Sequence, residues 1–200
     1  MQKFNKIAAL ASVLVFGTAT AHAETYQIDP NHANVYFSID HFGTSTNHGA
    51  FTGVKGTVDF DPANRTGSVD IDIPVTSLET GNEQFTNHLK SAEIFNVEQY
   101  PNAHFKSTKF YFNGKNKDGV NRVSRVDGQL TLLGQTHLVT LTATKFNCYQ
   151  SPMLKTQVCG GDFVTSIDRT RWGLDYGTKM GISKYVKLNI QIEAAKPQAK

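Results

Sequence analysis

At 200 residues, with 18% charged and 39% hydrophobic residues, the chain is long enough for one domain with a real core. Its formal net charge of +3 gives no reason to expect nucleic acid or an acidic surface as partner. Residues 1–23 read as a secretory leader: Lys3 and Lys6 precede an apolar run at 7–16, and Ala21, His22 and Ala23 supply a small-x-small cleavage pattern. The run is too short to span a bilayer. Removing it leaves a mature chain from Glu24 with a net charge of +1 and no cysteine at the cut to carry a lipid anchor. The expected location is the periplasm, with release into the medium as the alternative.

After a short strand at 25–28, residues 35–42 alternate. Val35, Phe37, Ile39 and His41 fall on one side, with Tyr36, Ser38, Asp40 and Phe42 on the other. The polar stretch 43–49, GTSTNHG, reads as a link, and Val54, Gly56, Val58 and Phe60 mark a second alternating run. The two runs, at about 33–42 and 50–60, are expected to pair antiparallel. The strand at 68–75 places Val69, Ile71, Ile73 and Val75 on one face, and Pro74 marks an end that is unpaired or at an edge.

Residues 77–100 break the pattern. Thr80, with Glu83 three residues on, is a candidate helix cap. Phe85, His88 and Leu89 lie on one face of a short helix, and Ile94, Phe95 and Val97 extend its apolar cluster. This piece is a candidate plug or lid for a barrel end.

Strands resume at 103–112, with Phe105, Phe110 and Phe112, and at 120–133, with Val126, Gly128, Leu130 and Leu132. Residues 137–147 run back. A loop holding Cys148 and Cys159 precedes a strand at 162–167 with Phe163, Thr165 and Ile167. A link at 168–180 carries the only tryptophan, Trp172. The last strand, 185–193, places Val186, Leu188, Ile190 and Ile192 on one face, and a polar tail at 194–200 is expected to fray.

Eight substantial strands, a short opening strand and one helix predict an all-β fold, an antiparallel barrel or sandwich. Closure removes exposed edges, and eight strands leave room for one ligand. Thirteen phenylalanines and seven tyrosines either fill a core or line a pocket. In an oxidising compartment the cysteines read as a disulfide pinning a loop; a redox couple or half of a metal site are the alternatives.

Recognisable catalytic or nucleotide-binding patterns are absent from the sequence. The mature histidines, at 32, 41, 48, 88, 104 and 137, lack the spacing of helix-borne metal ligands. His41 sits on an otherwise apolar strand face, as a hydrogen-bonded core residue, a contact to a ligand headgroup or a metal ligand. Asp168, Arg169 and Arg171 form a charged knot beside Trp172, either an ion-pair network or a headgroup anchor.

The chain resembles the YceI-like family. The resemblance is carried by YQID at 26–29 with His32, VYF at 35–37, HFG at 41–43 and GAF at 49–51. It continues through Gly56, FD at 60–61, SLET at 77–80, HLKS at 88–91, FN at 95–96 and YP at 100–101. FKS at 105–107, GQLT at 128–131, GQT at 134–136 with Val139, IDR at 167–169 and WG at 172–173 complete it. Two departures stand out. Phe85 and Thr86 stand where the family has an Arg-Asp pair, and the cysteine loop is longer than usual. Both are expected to alter the pocket mouth and its choice of headgroup.

The resemblance implies an eight-stranded, lipocalin-like antiparallel barrel over 24–195, with a disordered tail at 196–200. It further implies an apolar pore for a long isoprenoid lipid, a polyprenyl phosphate or a quinone, with no other cofactor, no metal and no catalysis. The expected ligand-binding residues are Val35, Phe37, Ile39, His41, Phe51, Ile71, Ile73 and Phe85, continuing with Leu89, Phe95, Phe105, Leu130, Leu132, Phe163, Arg169 and Trp172. A transient contact with the membrane or a membrane protein would accompany loading, by a monomer or a dimer. The competing readings are an enzyme acting on a bound lipid, through His41 with Asp168 or Arg169, and an interaction or stress protein with a solid core.

Overall fold

Alternation with period two dominates the chain, and each strand therefore has one apolar face that needs cover. The structure, a computed structural model, describes residues 23–198; residues 1–22 of the expected leader and the last two residues of the tail lie outside that range. The strands are β1 (Glu24–Ile28), β2 (Asn34–His41), β3 (Ser45–Phe51), β4 (Lys55–Asp61) and β5 (Thr66–Pro74), then β6 (Asn102–Lys115), β7 (Asn121–Leu132), β8 (Gln135–Gln150), β9 (Gln157–Asp168) and β10 (Ile182–Ala195). One helix, α1 (Glu83–Lys90), lies between β5 and β6. All strand pairs are antiparallel.

These ten segments make eight staves. β1 and β2 follow one another along the same edge of β10, with Gln27 opposite Ala195 and Val35 opposite Ile190. β4 pairs with β1 and β3 with β2, so β3 and β4 together form the matching stave. β4 through β10 then pair in chain order, and β10 returns to β1, closing the ring. This is an eight-stranded antiparallel barrel, as the family resemblance implied; the strand pattern alone had left a sandwich open.

The opening pair differs from expectation in its partners. Residues 45–49, taken for part of a link, belong to a strand that ends at Phe51; β3 pairs one for one with β2, from Val35 opposite Phe51 to His41 opposite Ser45. The run at 54–60 pairs instead with β1 and β5. Side-chain alternation missed β3 because the segment STNHGAF has no apolar face: only Phe51 of the seven is buried. Its ladder is made by backbone groups, which any sequence carries.

The cysteines also lie within strands rather than in a loop. Cys148 of β8 is opposite Cys159 of β9, and they are disulfide-bonded, with the hairpin tip at 151–156 beyond them. Just beyond β10 the Lys196 amide donates to Gln157 O, and its ammonium pairs with Glu24. Replacing both cysteines with alanine should lower stability by on the order of 3 kcal/mol, because the bond closes a short loop in the unfolded chain. Urea denaturation checks this, and a shift below 1 kcal/mol would contradict it.

α1 is capped by Asn82, whose side-chain oxygen accepts from the Phe85 amide at 2.9 Å. Thr80, the expected cap, instead holds the preceding turn: its amide donates to Thr86 Oγ1, and its hydroxyl donates to Asn82 O. The chain before α1 crosses to β3 through paired backbone bonds between Ala50 and Glu79. That bridge carries the helix over the end of the barrel where β2, β5, β7 and β9 finish.

At the other end the bore is packed with aromatic rings. Phe60 lies 5.5 Å from Phe146 and 6.1 Å from Phe112, with Phe110 and Tyr26 within 6.4 Å of a member of the group. Tyr26 is 2% exposed, and its hydroxyl donates to Gln157 Oε1 at 2.6 Å. Burial, aided by the nearby Glu24 carboxylate, pushes its pKa from 10.0 up to about 12. The folded state therefore keeps a proton that the unfolded chain loses above pH 10, so this contribution to stability is intact below pH 10 and is lost as pH rises toward 12. Absorbance titration should show one tyrosine ionising about two pH units late, and Tyr26→Phe should remove that late step.

Candidate functional site

The helix-covered end of the barrel is hollow. A cavity of about 330 Å³ lies there, a size at the lower end of small-ligand pockets. β2 supplies Val35, Phe37, Ile39 and His41, the face that alternation picked out. The opposite wall comes from Leu130 and Leu132 of β7. Phe51 and Ile73 add to the wall, and α1 lays Phe85 and Leu89 over the top, joined by Phe95 from the following turn. Phe95 and Phe51 meet edge to face at 5.7 Å, which ties this roof to the barrel.

Arg169 completes the set at the mouth. It is 7% exposed and pairs with no carboxylate. Its Nε donates to Ser183 O at 3.0 Å, Nη1 to Leu174 O at 2.5 Å and Nη2 to Tyr176 O at 2.8 Å. The expected ion-pair knot is thus differently wired. Asp168 binds Lys184 at 3.0 Å and caps its own turn by accepting from the Thr170 hydroxyl and amide. Those contacts, Thr170 first and Lys184 next, hold the Asp168 carboxyl below its ordinary pKa. Arg171 lies over the Trp172 ring. Burial pulls the Arg169 guanidinium below its usual pKa while Asp175 and Asp168 oppose the pull. A guanidinium carries five N–H groups. Three are used by carbonyls, which leaves one each on Nη1 and Nη2 beside the cavity.

Other polar liners cluster at the same rim: His41, Asn47, His88 and Tyr176. His88 and Tyr176 stack edge to face at 5.0 Å, linking α1 to the 174–181 segment, and His41 packs on Phe42 at 4.5 Å. The result is an apolar chamber with a few polar groups at one end, an arrangement that suits an amphipathic guest. Among the described residues no cluster of three or more His, Cys, Asp or Glu could hold a metal ion, and no helix is long and apolar enough to cross a membrane.

Four of the sixteen expected residues lie elsewhere. Ile71, Phe105 and Phe163 line a second, smaller cavity of about 70 Å³ toward the aromatic end. Trp172 lines neither. It is 1% exposed, and its indole N–H donates to Leu130 O at 3.1 Å, so it buttresses the wall from behind. Sequence reasoning left out Ile182, Val186 and Leu188 of β10, which line the chamber. Their alternation was visible, but a barrel strand does not announce which face looks inward. Asn47 and Tyr176 carried no signal at all.

Residues 26–194 match the profile of the YceI-like domain family. The chain belongs to the YceI-like family. A UPF0312 protein of Vibrio cholerae is 32% identical over 198 residues, covering 96% of this chain and 98% of that one. Protein YceI of Salmonella arizonae is 37% identical over 144 residues, 70% of this chain and 72% of its own. Among solved structures, BcnA of Burkholderia cenocepacia superposes with a TM-score of 0.66 at 24% identity, over 84% of this chain and 99% of that one. A domain from Saccharophagus degradans, described as polyisoprenoid binding, gives 0.63 at 14% identity, over 88% of this chain and all of its own. Both structural likenesses bear on the fold.

The two departures from the family pattern fall at opposite ends of the YceI-like barrel. Phe85 lines the chamber, whereas Thr86 is buried against Thr80 and does not line it, so the change at this mouth is the phenyl ring. The long cysteine hairpin, expected at the mouth, is instead at the closed end, because β8 rises away from the chamber before it turns.

Proposed function

We propose that the protein binds an isoprenoid lipid by its tail in the chamber under α1 and acts as a periplasmic carrier or store for it, without catalysing a reaction. The observation that carries this reading is a closed barrel, hollow at one end, whose hollow is apolar with its polar groups gathered at the rim. Membership of the YceI-like family agrees with it, and so does the polyisoprenoid-binding description of the Saccharophagus degradans domain.

Burying a CH₂ is worth about 0.8 kcal/mol against water. A lipid that starts in a membrane has already gained that, so moving its tail into the chamber is nearly neutral. Such a protein can load and unload, and its selectivity rests on the headgroup. The two uncommitted N–H groups of Arg169 suit an oxygen acceptor, whether a prenyl phosphate or a quinone carbonyl. Phe42, Met180 and Tyr185 are exposed near the mouth, on the tip between β2 and β3, on the segment leading into β10 and in the first residues of β10 itself. They are suited to a brief contact with a bilayer during loading.

The test is to purify the protein from its host compartment, extract it with organic solvent and identify the extract by mass spectrometry. An isoprenoid at near-stoichiometric amount is expected. Repeated recovery of no lipid, with the fold intact, would overturn the reading.

A further inference from the structure

The bore is not continuous. The 330 Å³ chamber and the 70 Å³ cavity share no lining residue, although each draws on β5, β6, β7, β9 and β10. On β5 the chamber ends at Ile73 and the lower cavity begins at Ile71. On β6 the same step runs from Ala103 to Phe105, and on β10 from Leu188 to Ile190. At that level the rings of Phe105 and Phe163 line the upper side of the lower cavity.

Their placement fits a floor. β6 and β9 are three staves apart in a ring of eight, so the two rings enter from nearly opposite walls. Phe105 is 4% and Phe163 7% exposed. Phe105 leans over Gly128 of the neighbouring strand so closely that a Cβ there would fall 2.3 Å from its ring. The glycine leaves room for the ring on the inner side of β7, where any larger residue would push it aside. Below the floor, Phe60, Phe112 and Phe146 fill what space remains.

We propose that Phe105 and Phe163 form a barrier that sets how much of a lipid tail this barrel accepts. The inference rests on the lipid-binding reading above and narrows its ligand. From His41 to Val35 is six residues, about 20 Å along the strand and about 15 Å along the tilted barrel axis. A strand of fourteen residues such as β6 gives a barrel about 35 Å tall on the same basis. The chamber therefore uses less than half the height. It seats the isoprene units nearest the mouth, and the remainder of a long chain lies outside.

The test uses geranylgeraniol and decaprenol carrying a photoreactive diazirine at the tail end farthest from the hydroxyl. Each is loaded into the purified protein, irradiated, and the labelled residues are mapped by mass spectrometry. In the wild type, the geranylgeraniol tail should label chamber residues of β7 and β10. The decaprenol tail should label only the mouth or nothing, while intact decaprenol is retained. In Phe105→Ala/Phe163→Ala, label should shift to Phe60, Phe112 or Phe146. Ala103→Phe, which raises the floor without opening a cavity, should move the geranylgeraniol label up to α1; it serves if the double variant does not fold. Labelling of Phe60, Phe112 or Phe146 in the wild type would overturn the barrier while leaving lipid binding intact. Retention of neither prenol would overturn the lipid reading itself, and this inference with it.

Discussion

Arg169→Ala should destabilise the protein by about 2–4 kcal/mol, a larger loss than any other single charged residue should cause. Three carbonyls, of Leu174, Tyr176 and Ser183, lose their donor together. A buried polar group left without a partner costs about 1–3 kcal/mol, and some of these carbonyls will regain water as the segment loosens. Lysine should not rescue the loss, because one ammonium cannot reach three carbonyls that a planar fork spans. Lys184→Ala is the contrast: its bond to Asp168 is solvent-exposed and screened, so its loss should be small. Urea denaturation of the three variants gives the ranking. Hydrogen exchange should show faster exchange confined to 174–183 in Arg169→Ala. A loss within 0.5 kcal/mol of that for Lys184→Ala would show that Arg169 does not hold the segment.

The same residue shows where sequence reading stops. Arg169 and Asp168 are adjacent, and adjacency suggested an ion pair. Yet Asp168 ends β9 and caps the turn that follows, while Arg169 turns inward to carbonyls up to fourteen residues away. No local pattern encodes a side chain whose partners are backbone oxygens of a later loop. The strands were legible for the opposite reason. Val69, Ile71 and Ile73 repeat every second residue because one face of β5 looks into the barrel, and that period is written in the residue types themselves. β3 was missed because its pairing depends on backbone and its side chains are mostly polar.

The hollow was only half legible. The apolar faces of β2, β5 and β7 announced an interior, but a face reads alike whether it meets a cavity or a phenylalanine. Leu130 and Phe105 are cross-strand partners, yet one lines the chamber and the other lies in the floor below it. The rival reading of a solid core describes the aromatic end, and the open pore describes the helix-covered end. Side-chain volume summed around a ring of eight staves decides between them, and that sum exists only once the register is fixed.

Leu188→Trp should abolish high-affinity tail binding while sparing the fold. Leu188 sits on β10 opposite Phe37 of β2, and both side chains line the chamber. Overpacking a filled core costs about 1–3 kcal/mol, but here the added ring enters existing space, so the cost should fall at the low end. Each CH₂ of the tail that loses its place forfeits about 0.8 kcal/mol when the lipid is presented from water. Displacing three or four of them costs about 2.5–3 kcal/mol, roughly a hundredfold in affinity. Leu138→Trp is the control, since Leu138 is 67% exposed on the outside of β8 and should leave binding unchanged. Calorimetry with geranylgeraniol below its aggregation limit reads both variants. Equal affinity in Leu188→Trp and the wild type would place the tail somewhere other than the chamber. A loss in both variants would mean that the outer surface, rather than the hollow, carries the lipid.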